Sequence, residues 1–213
     1  MESQLAFFQT IARPLVALMF ASAALMGSPG PSTVSLTAVG ASFGVRRSLP
    51  YAGGLIAGTT AVLLMVAIGV VAVVTSIPYA PRVLGGLSAA YIFYLAYSIA
   101  KAPPLEAQTA RTSAPSLAGG FLLAVANPKA YLAIAAVFAG TTVAPGHPAL
   151  DAIVKMAFLT GMIVLIHMGW LLLGASLSRW LRHPVSSRII NLSLAAVLVG
   201  TTVLALTRSF RKL

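Results

Sequence analysis

The chain has 213 residues, of which 59% are apolar and only 8% charged, with a mean hydropathy of +0.95. A soluble domain carries roughly 25% charged residues to cover its surface, so this composition excludes a water-facing globule and sets most of the surface against lipid. The net charge of +11 does not indicate nucleic acid, because the basic residues stand singly or in small groups between apolar runs, as in loops that meet anionic lipid head groups.

A helix needs about 20 apolar residues to cross the hydrocarbon core. Six segments meet that length, at about 15–39, 51–75, 83–100, 117–141, 153–177 and 189–207. Their runs are continuously apolar rather than alternating, which excludes a membrane β-barrel. The expected fold is an all-α membrane protein of about six transmembrane helices.

The first segment begins like a loose signal peptide, with Arg13 and Ala21-Ser22-Ala23. The apolar run continues through Gly27 to Phe43, past any cleavage site, and reads as a retained helix. Within it lies Gly27-Ser28-Pro29-Gly30-Pro31. Each proline removes a backbone donor and clashes with the preceding turn, so the helix should break at mid-membrane. The amides and carbonyls so freed cannot face lipid, and they must line protein or a water-filled cavity. The alternative is a kink that serves packing alone.

Arg46-Arg47 marks the first loop. Gly40-x-x-x-Gly44 and Gly54-x-x-x-Gly58 permit close helix approach, within one chain or between two. The second loop runs from Pro78 to Arg82. In the third helix Tyr91, Tyr94 and Tyr97 share one side, for packing, interface anchoring or substrate contact. The longest and most polar connection follows at 101–116, with Pro103-Pro104, Glu106 and Arg111. It divides a single transporter domain into a first half at about 1–100 and a second at about 117–213. Each half has three helices, an odd number, so related halves must be inverted in the membrane.

The fourth segment carries Asn127-Pro128-Lys129 at comparable depth. A lysine at the bilayer centre costs about 2.5–3.5 kcal/mol on insertion scales, which argues for use over accident. Snorkelling would need a reach of about 18 Å past a dozen residues at 1.5 Å each, far beyond a lysine stem unless the helix is itself broken. Each half thus has a break in its first helix, followed by Ser32, Thr33 and Ser35 in one and Ala130 and Tyr131 in the other. Corresponding interrupted helices point to a transporter's binding site. The substrate-binding candidates are Pro29, Gly30, Pro31, Ser32, Asn127, Pro128, Lys129 and Tyr131.

In the fifth segment, His167 is either a neutral residue hydrogen-bonded between helices or the titrating group, since an unperturbed pKa of about 6.5 lies in the working range. The acids Glu2, Glu106 and Asp151 all fall outside the expected spans, which favours His167 for proton coupling. The same absence leaves the Lys129 charge to be met by freed carbonyls, by Asn127 or by a substrate carboxylate. A half-helix N-terminus, with about half a positive charge, would suit that carboxylate too. Trp180 beside Arg179 and Arg182 reads as an interfacial belt residue.

Loop charge sets the orientation. Arg46, Arg47, Lys101, Arg111, Arg179, Arg182 and Arg188 share one side; Arg13, Arg82 and Lys155 share the other with Arg208, Arg211 and Lys212. The internal loops place the first group in the cytoplasm, with both termini outside, and the C-terminal cluster argues the other way.

The segment with Pro29-Gly30-Pro31, Gly40, Gly44, Arg46-Arg47 and Gly53-Gly54 resembles the N-terminal signature of the LysE/RhtB family of amino-acid exporters. The stretch from Gly86 to Tyr97 is similar to that family's third helix, and Gly120-Phe121 with Asn127-Pro128-Lys129-Ala130 matches its second signature. The motifs span nearly the whole chain in order. The resemblance implies efflux of amino acids or their derivatives across a bacterial inner membrane, driven by the proton-motive force. Many members carry an acidic residue three positions before an aromatic in the fifth helix, where this chain has His167 before Trp170. Many also follow the Asn-Pro-Lys helix with Pro-Gln-Phe, which the stretch from Phe138 to Val143 lacks. Both departures leave the substrate open and weaken the assumption of a cationic amino acid.

Two other readings compete. A membrane-embedded enzyme needs a nucleophile–base pair or a metal cluster. The chain has no cysteine and no acid within a span, and His147 and His183 lie in loops, so neither a catalytic nor a metal site is expected. A scaffold or subunit that carries nothing would explain the small residues but not Lys129 beside two breaks. No cofactor is expected; membrane lipids and a small polar metabolite are the expected partners. A homodimer would shield so small a bundle.

Overall fold

The computed structural model describes residues 2–69, 80–101, 114–176 and 184–211. Among these the regular structure is helical: α1 (Glu2–Leu25), α2 (Pro31–Ala67), α3 (Ala80–Ala100), α4 (Leu117–Ala126), α5 (Pro128–Ala139), α6 (Pro148–Ser176) and α7 (Pro184–Arg211). By length and apolarity α2 and α6 could each cross a membrane, and α4 with α5 would make a third span bent by 63°. The expectations placed on Glu106, Arg111, Arg179, Trp180, Arg182 and His183 fall outside the described residues.

The helical residues of α2 number 37, yet they do not form one rod. The Tyr51 hydroxyl donates to Ser35 Oγ at 3.0 Å, whereas 16 residues of straight helix would hold those positions about 24 Å apart. Gly44, at φ 72 and ψ 171, is where the chain turns back. A Cβ there would meet nothing within 4 Å, so the positive φ, not lack of space, calls for glycine. Ser48 closes the turn by donating towards Gly44 O at 2.7 Å and Val39 O at 3.1 Å. The hairpin has arms 31–43 and 45–67, and the expected loop at Arg46-Arg47 shrinks to the turn at Gly44. The first interruption also comes after a longer helix than expected, since α1 starts at Glu2.

Small residues let the elements close up. A Cβ on Gly40 would stand 2.8 Å from Leu171 O, and one on Gly58 2.6 Å from Phe121 O; Gly174, Gly54 and Gly120 are closer still to the backbones of Thr37, Leu117 and Tyr51. The first arm of α2 therefore packs backbone to backbone on α6, and the second arm on α4. The glycine spacings seen in the sequence serve contacts within this chain, apart from Gly44, which serves the turn. Beside this assembly, α3 lies against α7.

Two apolar clusters result. One gathers Val34, Leu55, Ala124 and Leu171; the other gathers Leu18, Val62, Ile134 and Ile163. Elements that run from one to the other pass through a buried polar residue on the way. These are Thr59 in the second arm of α2, Asn127 between α4 and α5, and His167 in α6. In α6 the buried face repeats every fourth residue, at Lys155, Leu159, Ile163, His167 and Leu171, as helix geometry requires.

Lys155 is a correction to the charge reading. It is not a loop cation but is buried in α6, paired with Asp151 Oδ2 at 2.7 Å. Its ammonium also donates to Phe138 O at 2.8 Å and Thr141 O at 3.0 Å. Asp151 Oδ1 in turn accepts from the amides of Val143 and Ala144 at 2.5 and 3.0 Å. The pair holds the α5–α6 connection onto α6.

Candidate functional site

Both interruptions form where the prolines fall. α1 ends at Leu25 and α2 starts on Pro31, while α4 ends at Ala126 and α5 starts on Pro128. Proline suits the first helical position, where its missing N–H would be unpaired anyway. Gly30 is the N-cap of α2, its amide donating to Thr33 Oγ1 at 2.9 Å. Asn127 is the N-cap of α5, its Oδ1 accepting from the Lys129 amide at 3.1 Å.

The two breaks meet. Lys129 Nζ donates to Ser28 O at 2.5 Å and to Pro29 O at 3.1 Å. Asn127 Nδ2 donates to Ser32 Oγ at 3.0 Å, and Trp170 Nε1 to Gly27 O at 3.0 Å. The carbonyls of Gly27, Ser28 and Pro29, released when α1 ends, thus find donors on α5 and α6. The Lys129 stem lies close over Gly30: a Cβ there would stand 2.6 Å from Lys129 Cδ, so the lysine side chain would have to shift.

Against this junction lies a cavity that is open on one side. Gly30, Ser32, Thr33, Thr59, Asn127, Lys129 and His167 supply its polar groups, and Met26, Ala133, Ile134, Ile163 and Ile166 much of its apolar wall. Lys129 does not snorkel; it points across to the other half. His167 is 5% exposed and its Nδ1 lies 2.7 Å from Ile163 O. A carbonyl only accepts, so Nδ1 carries the hydrogen. The bond stays within α6 and does not join two helices. Nε2 is buried and has no hydrogen-bond partner among the described residues.

Of the eight binding candidates, Gly30, Ser32, Asn127 and Lys129 line the cavity. Pro29 offers its carbonyl to Lys129, and Pro31 and Pro128 start helices. Tyr131 packs instead against the second apolar cluster. Among the described residues no group of His, Cys, Asp or Glu could hold a metal ion. The family model of LysE type translocators matches the chain over residues 23–209.

The chain belongs to the LysE type translocator family. It is accordingly a membrane protein that transports amino acids or related compounds, as its family does, and its partners are a small-molecule substrate and membrane lipids. Family members are transporters rather than enzymes. Neither a curated protein nor a solved structure matches the chain.

In this LysE type translocator, sequence reasoning named Trp170 only as the aromatic after His167, without a role, and passed over Thr59 and Met26. Trp170 had a readable signal: a buried indole N–H needs an acceptor, and a broken helix supplies unpaired carbonyls. Thr59 and Met26 had none, because Thr and Met are ordinary residues in apolar segments.

Proposed function

We propose that this translocator exports an amino acid or a closely related polar metabolite across a bacterial inner membrane, exchanging it for protons. Six crossing helices would form two inverted three-helix halves, with both termini outside. Substrate would bind where the two breaks meet, with Lys129 taking a carboxylate and His167 the proton, and rocking of one half would change the side to which the site opens. A homodimer would cover the outer helices.

The observation that carries this reading is the meeting of two interrupted helices around a cavity whose lining, among the described residues, holds an ammonium and no carboxylate. Interrupted helices with their N-termini at mid-depth are how secondary transporters build ion and substrate sites. Two further facts support it. The burial of Lys155 with Asp151 removes one cation from the charges set against the adopted orientation. The two arms of α2 pack on α6 and α4 from the second half, which makes an interface between halves.

Proteoliposomes test the proposal. Labelled amino acid should enter by counterflow through the wild type, and should accumulate against its gradient when a proton gradient is imposed. His167→Gln should lose the uphill accumulation and retain counterflow at reduced rate. Absence of counterflow for every standard amino acid would remove the export reading.

A further inference from the structure

We infer that the Gly44 end of the molecule is a docking surface for an anionic phospholipid, its head-group phosphate held among Arg46 of the turn, Lys101 after α3 and Arg188 of α7. The inference stands whatever metabolite the protein carries.

Packing brings these three cations to one end. Ser42 Oγ donates to Asn191 Oδ1 at 3.2 Å, which sets Asn191 beside the residues that lead into the turn. Ala195 and Leu198, further along α7, are buried in the first apolar cluster, so Arg188 lies on the outer side of Asn191. In α3 the Tyr91 side chain reaches α4, where a Cβ on Gly119 would stand 2.3 Å from its hydroxyl oxygen. From there α3 buries Ile92, Leu95, Ala96 and Ile99 in the same first cluster, which Phe43 and Val45 border; none of its described residues joins the second. Ten residues past Tyr91 the helix has advanced about 15 Å, which carries Lys101 to the end where the turn lies.

The charge at this end is one-sided. Arg46, Lys101 and Arg188 are exposed, and the Arg47 guanidinium stands 5.8 Å from the centre of the Phe43 ring. Among the described residues no carboxylate accompanies them. Of the chain's acids, Glu106 lies outside the described residues, Glu2 begins the helix that packs on the second cluster, and Asp151 is paired with Lys155 by the start of α6. Gathered like charges repel, and an anion bound among them relieves that repulsion.

The outer face of α3 distinguishes a lipid from a free phosphate. Leu87, Tyr94 and Lys101 recur every seventh residue, with Tyr97 between the last two, and all four are exposed. Such spacing puts them on one face. Lys101 Nζ donates to the Tyr97 hydroxyl and stands 4.4 Å from the ring centre. The stripe passes from aliphatic to phenol to ammonium, which is the order of acyl chain, interface and head group in a lipid lying along it. A lipid so placed touches α2 and α3 from the first half of the chain and α7 from the second, and braces them against each other.

Thermal melting of the purified full-length protein in detergent tests the inference, with dioleoylphosphatidylglycerol, dioleoylphosphatidylcholine and glycerol 3-phosphate as probes. Phosphatidylglycerol should raise the melting temperature at lower concentration than phosphatidylcholine, and added salt should weaken that response by screening. Glycerol 3-phosphate, which has the charge and no acyl chains, should have no effect. Arg46→Gln, Lys101→Gln and Arg188→Gln should each raise the phosphatidylglycerol concentration at half-response by about 5-fold, as for one basic residue near an anionic membrane surface. Arg46→Lys should keep the response, and so should Arg13→Gln, which removes an exposed cation from α1. Equal responses to the two lipids, an equal shift with glycerol 3-phosphate, or a loss in Arg13→Gln as large as in the three variants would overturn the inference. If a glutamine variant does not fold, the wild-type comparison of the three probes decides alone. None of these outcomes bears on export, which counterflow tests separately.

Discussion

The side-chain amide of Asn127 donates to Ser32 Oγ at 3.0 Å, joining positions 95 residues apart. Each residue sits at the start of a helix, Asn127 as the cap of α5 and Ser32 in the first turn of α2. The bond therefore holds two helix N-termini against one cavity. Each terminus carries about half a positive charge, and Lys129 adds a full one. That is the charge which the proposed carboxylate site would require.

Removing this bond should loosen the junction unequally. Ser32→Ala leaves Asn127 Nδ2 buried without an acceptor, at about 1–3 kcal/mol. Asn127→Ala removes the bond and also the α5 cap, for which about 0.5–2 kcal/mol is added. Thermal melts of the purified variants should rank Asn127→Ala as the less stable, with the double variant close to Asn127→Ala alone. Additive losses would mean the two side chains act separately.

Lys129→Gln tests recognition of the carboxylate. A charge-assisted hydrogen bond contributes roughly 1.5–3 kcal/mol, so affinity for a carried amino acid should fall about 10- to 150-fold. The carboxamide analogue should lose much less. Lys129→Arg should rescue poorly, because a planar fork cannot replace a compact ammonium wedged against Gly30. If folded Lys129→Gln separates acid from amide as well as wild type does, Lys129 only holds the break together.

The glycine contacts predict a sharp positional contrast. Gly174→Ala and Gly120→Ala would drive a Cβ into the backbones of Thr37 and Tyr51, whereas a Cβ at Gly161 or Gly169 meets nothing within 4 Å. The first two should lower the melting temperature and yield. Gly161→Ala should be neutral or stabilising, since alanine improves on glycine in a helix by about 1 kcal/mol. Equal tolerance at all four sites would refute the close packing of α2 on α6 and α4.

Asp151 and Lys155 should not be equivalent. Asp151→Ala leaves a buried ammonium with carbonyl acceptors but no counter-charge and frees the amides of Val143 and Ala144, and breaking such a pair costs about 3–5 kcal/mol. Lys155→Met leaves the carboxylate with both amide donors and should cost less. Limited proteolysis at 140–147 should be fastest in Asp151→Ala. Faster cleavage in Lys155→Met would show that the ammonium, not the carboxylate, secures that connection.

Orientation is open to direct labelling, since the chain has no native cysteine. Both Lys101 and His147 are exposed. In intact cells, His147→Cys should react with an impermeant thiol reagent and Lys101→Cys only after permeabilisation. The opposite pattern would invert the topology without altering the fold.

The sequence by itself determined the class, because 8% charged residues cannot coat a soluble surface. It also marked the breaks before Pro31 and Pro128, where proline acts locally by removing an amide and crowding one turn; Pro14 and Pro50 lie inside helices, and the turn at Gly44 was not legible as a break. Only the tertiary structure decided who answers those breaks. Gly27, Ser28 and Pro29 find their donors more than 95 residues away in Trp170 and Lys129, and no local rule fixes such partners. The same holds for Lys155: a basic residue near a helix start reads as a surface charge until Asp151, one turn earlier, is seen to share its burial. It holds again for Tyr131, which a sequence pattern sets beside Lys129 but which helix geometry turns towards the second apolar cluster. His167 lay between the two kinds of knowledge. Its isolation in an apolar helix was legible, while its place in the cavity wall, with Nε2 buried and unpartnered among the described residues, depends on five segments arriving at one place. Local sterics and solvation act through neighbouring residues; hydrogen-bond partners and cavities depend on how distant segments pack.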